Sequence, residues 1–226
     1  MSLLIYTAMY CYAGKTPDDK LSKERAWSED FQTAEKDGLP VNWQEEGSKI
    51  GVPETQCKLV KHSDGTTVLQ LKCNKSTGGI IIAPKVNLNK TPIMRWRWRM
   101  IHPVVLKDSK EPDDQAASLY VCDGNSFRQF TVSYRWEVLP EIGSTKVFRY
   151  GSGALTVYGI CLRNRFTTVG EWVEEERDVT ADFKKLFKRD LSSRFAIGVG
   201  GNSQYSKSNT RVEIDYLEFH PRRKNK

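Results

Sequence analysis

Three guanidinium groups recur at every second position of Met94-Arg-Trp-Arg-Trp-Arg-Met100. A guanidinium is planar, permanently charged and rich in donors, so it grips carboxylates in a two-pronged fork and stacks on rings. Arg95, Arg97 and Arg99 on one face would suit an anionic ligand, such as a uronic-acid glycan or an acidic peptide. The plainer reading is an outer sheet face whose arginines pair with Glu137, Glu174 or Glu176. Further on, Thr131-Val-Ser-Tyr-Arg-Trp136 sets Tyr134 and Trp136 on one side, where rings beside an arginine could hold a sugar. If not, they are core. The doubled carboxylate Asp113-Asp114 could hold a metal or do acid–base work; otherwise it is a solvated turn.

Signals for catalysis are thin. Glu174 and Glu176 share a strand face at ~7 Å spacing, which two carboxylates of a glycoside hydrolase could use. Histidine is scarce, and of His62, His102 and His220 only His102, closing the arginine run, is placed to act as a base. A lyase on a uronate would draw on His102, Tyr134 and the arginines. The catalytic pool is therefore His102, Tyr134, Glu174 and Glu176.

These side chains need a scaffold that alternates. Met94, Trp96, Trp98 and Met100 fall opposite the arginines only if the backbone is extended, since a helix would spread both kinds around its circumference. Similar strand-like runs recur at about 41–47, 56–61, 67–73, 79–86, 92–101, 116–122, 127–138, 145–150, 154–162, 171–179, 194–201 and 211–219. Turn signals separate them, among them Ser63-Asp-Gly65, Asp123-Gly-Asn125, Gly151-Ser-Gly153 and Gly200-Gly-Asn202. Asp182 to Lys188 reads as a helical turn, and Leu21 to Phe31 as a short helix or a loose arm. With no βαβ alternation, the pattern predicts an all-β fold: an antiparallel two-sheet sandwich, a jelly roll of galactose-binding or concanavalin-like kind, with one short helix. One domain over 28–220 accounts for it, between a 1–27 arm and a basic tail at 221–226.

Composition narrows the classes. With 38 % hydrophobic and 11 % aromatic residues, the 226-residue chain can bury a sizeable core, which argues against disorder. The formal charge of +7 sits partly in Arg222-Arg-Lys-Asn-Lys226, and no nucleic-acid module accompanies it. No run is apolar for the ~20 residues that a membrane-spanning helix needs. The apolar start Met1–Ala13 resembles the end of a signal peptide, which predicts a secreted or periplasmic protein. Cys57 and Cys73 flank the turn at Gly65 and are expected to bridge across a hairpin in an oxidising compartment.

Seven segments, taken in order, resemble the bacterial "domain of unknown function 3047" family. They are Gly38–Trp43, Pro92–Trp98, Pro112–Val121, Val132–Trp136, Glu171–Val179, Asp182–Phe187 and Val212–Phe219. The resemblance spans about residues 28–220. It implies an exported protein and brings no activity. The chain departs from it at Ser118, where members carry Arg, and over Gly200–Thr210, where they have an Asp/Asn-rich loop. The C-terminal half is also similar to carbohydrate-binding jelly rolls, whose last strand often helps to hold a structural calcium. That likeness implies Asp215 and Asp30 as calcium ligands, and no other cofactor. The combined expectation is a carbohydrate-binding sandwich for a polysaccharide, anionic ones included, that does not act on nucleic acid. The alternatives are a lyase or glycoside hydrolase on the same scaffold, and a non-catalytic cell-envelope interaction module.

Overall fold

The computed structural model describes residues 27–34, 38–47, 49, 51–106 and 113–223. The apolar start, Cys11 and the last three residues of the basic tail lie outside the described residues.

Each of the twelve extended runs holds a strand, and the strands form two sheets. The first has the order β11 (Val173–Asp178), β6 (Ile93–His102), β13 (Asn209–His220), β4 (Thr67–Asn74) and β3 (Gln56–Lys61), with β1 (Ser28–Glu29) also on β13. The second has the order β2 (Gln44–Glu46), β5 (Thr77–Ile82), β12 (Ala196–Asn202), β7 (Gln115–Gly124), β8 (Gln129–Trp136), β10 (Leu155–Arg163) and β9 (Thr145–Tyr150). The chain passes between sheets after β1, β2, β4, β5, β6, β10, β11 and β12, the winding of a jelly roll. The strand pairs are antiparallel except β8 with β10, because the β9–β10 hairpin folds back to set β10 alongside β8.

Alternation builds the core. Trp96 and Trp98 of β6 are fully buried, and they meet the second sheet through Tyr134 at 5.5 Å and Trp136 at 5.4 Å between ring centres. Burying rings of this size dominates the stability of a sandwich. Tyr134 and Trp136 are thus core residues rather than a sugar platform: their hydrophobic faces are spent between the sheets. The Tyr134 hydroxyl donates to Asp182 Oδ2 at 2.9 Å, and burial together with that carboxylate holds it protonated far above its ordinary range.

The helix α1 (Val179–Phe187) begins three residues before Asp182 because Asp178 caps it, accepting the Ala181 N–H at 3.0 Å. Where a helix or arm was expected up to Phe31, Ser28–Glu29 is a short strand edge; Leu21 to Ala26 lie outside the described residues. The expected disulfide is absent: Cys57 and Cys73 are both free thiols. The β3–β4 register sets Cys57 opposite Leu71, so the two sulfurs are offset by a strand repeat. Burial pushes both thiols up.

Candidate functional site

The outer side of the six-stranded sheet carries the arginines, and each has a carboxylate from a neighbouring strand. Arg95 meets Glu176 at 2.8 Å, Arg97 meets Asp215 at 2.7 Å and Arg99 meets Glu213 at 2.6 Å. Trp172 lies across two of them, 4.9 Å from Arg97 and 4.4 Å from Arg99. The face is therefore a stacked, internally neutralised surface and not a row of unpaired cations.

The open concavity is on the other sheet. A cleft of about 440 Å³ crosses β2, β5, β12, β7, β8, β10 and β9 on the side away from the core. The same alternation that turns Val132, Tyr134 and Trp136 into the core, with Phe130 half-buried against it, turns Gln129, Thr131, Ser133 and Arg135 into the cleft. On β7, Ser118 and Tyr120 point the same way, while Leu119 and Val121 are core.

Glycines make the floor. A Cβ on Gly198 would come within 2.2 Å of the Tyr120 ring, so the ring lies flat on bare backbone. A Cβ on Gly159 would stand 2.8 Å from Arg135 Cδ, so the arginine crosses β10 at the one position that has no side chain. Phe148 stacks on the Arg135 guanidinium at 4.8 Å.

Arg135 is buried, and both of its terminal nitrogens are engaged. It donates to Asp113 Oδ1 at 2.8 Å and to Gln115, and it meets Glu137 at 3.1 Å. Tyr150 Oη donates to the other oxygen of Asp113 at 2.6 Å. Glu46 enters from the β2 edge. Its carboxyl is pushed up to about 7 by burial alone. Tyr120 is raised well above its ordinary value, first by burial and then by the Glu46 charge, so its hydroxyl keeps its proton.

This arrangement can pack flat rings against Tyr120, Phe148, Tyr150 and Tyr205 and satisfy hydroxyls from Ser, Thr, Gln and Asn side chains. A family model described as "Protein of unknown function (DUF3047)" matches residues 41–218. The chain belongs to this family. No curated protein matches it. Among solved structures, this DUF3047 protein is similar to the family 11 carbohydrate-binding module of a cellulosomal cellulase from Clostridium thermocellum. That match has 8 % identity and a TM-score of 0.46, over 89 % of this chain and 99 % of the other. It is also similar to a family 12 xyloglucanase from Bacillus licheniformis, with 10 % identity and a TM-score of 0.42, over 88 % of this chain and 100 % of the other.

Of the site residues expected from sequence, the DUF3047 structure brings only Asp113 into the cleft. Its neighbour Asp114 is buried and serves the backbone, accepting from the N–H groups of Tyr205 at 3.2 Å and Ser206 at 2.6 Å. Glu174 and Glu176 lie on the outer face of the opposite sheet. Glu174 accepts from Tyr216 Oη at 3.0 Å, and Glu176 is held by Arg95 and Arg223. His102 is exposed at the end of β6, opposite Arg211, and does not line the cleft. Asp30 turns to the Gln32 N–H at 3.1 Å and Asp215 to Arg97. Among the described residues, no group of three His, Cys, Asp or Glu side chains is placed to hold a metal.

Sequence reading missed Glu46, Tyr120, Arg135, Phe148, Tyr150 and Tyr205. A signal for Arg135 was present: Gln129-x-Thr-x-Ser-x-Arg135 is a continuous polar stripe opposite a continuous apolar one. Ser118, where the family resemblance sets an Arg, sits in the cleft beside Gly200.

Proposed function

We propose that this protein binds a glycan in the cleft of the seven-stranded sheet and does not cleave it. The observation that carries the reading is the glycine floor between aromatic walls and hydroxyl-bearing side chains. Sugars present flat C–H faces and rims of hydroxyls, and a concave site with mostly apolar walls and a few convergent polar groups matches both. The charge pattern disfavours an anionic sugar. The cleft's arginine is already met by Asp113 and Glu137, so among the described residues the arginine in the cleft is not free to meet a uronate. Binding without hydrolysis is supported by the state of the carboxylates. Asp113 has both oxygens tied to donors, whereas glycoside hydrolysis calls for an acid and a free base or nucleophile flanking one bond.

Calorimetry with a panel of neutral, amino and uronic polysaccharides tests this, with Ser133→Trp as the variant that fills the cleft from its floor. The expected result is saturable binding that changes little with salt and falls at least about tenfold in Ser133→Trp. A wild-type protein that binds no glycan, or a variant that binds as well as wild type, overturns the reading.

A further inference from the structure

We propose that the Glu46 end of the cleft receives an ammonium group, so that the glycan taken there is an amino sugar; this rests on the cleft being the glycan site.

The register explains why Glu46 stands alone. Across the sheet, Glu46 is opposite Gly79, Gly79 is opposite Gly200, and Gly200 is opposite Ser118. Two successive strands thus offer the carboxylate no side chain, and the next group along is the Tyr120 ring resting on Gly198. Among the described residues, none of the surrounding elements brings a cation to it. Lys49, just beyond β2, is turned to Gln204 Oε1 at 2.9 Å and over the Tyr205 ring. Arg135 is committed to Asp113, Gln115 and Glu137. Among the described residues, Glu46 has no hydrogen-bond donor and no ion-pair partner, and burial is the sole influence on its proton.

A half-dry carboxylate without a donor is costly, and in the free protein it relieves that cost by holding a proton to about pH 7. A ligand hydroxyl brings one donor and no charge. An ammonium brings three donors and a full positive charge, and it gains most where water is scarce. The protonated Tyr120 hydroxyl beside it can accept one of those donors while its ring supports the sugar face. Binding an ammonium then displaces the carboxyl proton, so ligand uptake and proton release are coupled. A protonated acid holding a hydroxyl would release none.

The test compares a glucosamine pentamer with its N-acetylated counterpart by calorimetry at about pH 6.5, in two buffers of different ionisation enthalpy, with pentalysine as the bare-cation control. The expected result is about tenfold tighter binding of the amine pentamer, with net proton release. Glu46→Gln should abolish both the preference and the release. Tyr120→Phe, which keeps the ring, should weaken the amine pentamer by a few fold. Equal binding of the two pentamers, a preference that survives Glu46→Gln, or pentalysine binding as tightly as the amine pentamer overturns the inference. If a neutral glycan binds the cleft and neither pentamer does, the amine inference falls and the glycan reading stands; if no glycan binds, both fall.

Discussion

An arginine with a carboxylate at 2.7 Å is a different chemical object from an arginine facing solvent. Arg97 has that distance to Asp215 and carries Trp172 across its plane. Its side chain is still about one-third exposed, so the pair is screened and contributes only tenths of a kcal/mol. The residue also lies on the sheet opposite the cleft. Arg97→Ala is therefore expected to leave glycan affinity within about twofold of wild type and to lower stability by no more than about 1 kcal/mol. Titration calorimetry and thermal melts check this, and a large loss of affinity would move the ligand to the arginine face. Glu213 shows the contrasting case. Burial would raise its carboxyl, yet Arg99 and Gln70 hold it below its ordinary value through hydrogen bonds. There the pair belongs to the structure of the sheet.

Among the elements, β8 and β12 do most to shape the cleft, by opposite means. β8 supplies polar side chains on every second residue; β12 supplies none at Gly198 and Gly200, so that Tyr120 and the β2 edge can reach inward. A methyl at Gly198 would stand 2.2 Å from the Tyr120 ring. Only the free end of that ring needs to move, and it can swing into the cleft without disturbing the core. Gly198→Ala is thus expected to reduce glycan affinity about tenfold or more while shifting the melting temperature by only a few degrees. A binding isotherm paired with a thermal melt separates this from general unfolding. The strands themselves were legible in the sequence because a period of two is a local property: Trp96 and Trp98 inward, arginines outward. The cleft was not legible. Which outer face is concave depends on how two sheets twist against each other, and the Glu46–Gly79–Gly200–Ser118 row joins residues far apart in the chain. Asp113 could be flagged as a carboxylate, but its tie to Arg135 and Tyr150 comes from that long-range pairing.

Taken as a whole, the molecule has one closed face and one open face, and the open one contains a carboxyl that burial keeps protonated to about pH 7. Folding moves Glu46 from an ordinary value of 4.5 to about 7. The native state thus binds this proton more tightly than the unfolded chain does. Its contribution to stability is complete below about pH 4.5 and is lost as pH rises through about 7, because the folded protein must then hold a desolvated charge. Glu176, held down by Arg95, and Glu213, held down by Arg99 and Gln70 against the pull of burial, act in the opposite sense. Their stabilising effect is present above their unfolded values and fades only as pH falls through their lowered folded ones, well to the acid side of the Glu46 window. Glu46→Gln carries no titrating proton and should escape the alkaline loss. The variant is expected to match or slightly trail wild type at about pH 4 and to melt higher than wild type at about pH 8, with the curves crossing between. Thermal melts of the two proteins across that range decide it. A constant offset at every pH would mean that Glu46 is solvated in the folded protein and that the β2 edge does not close over the cleft.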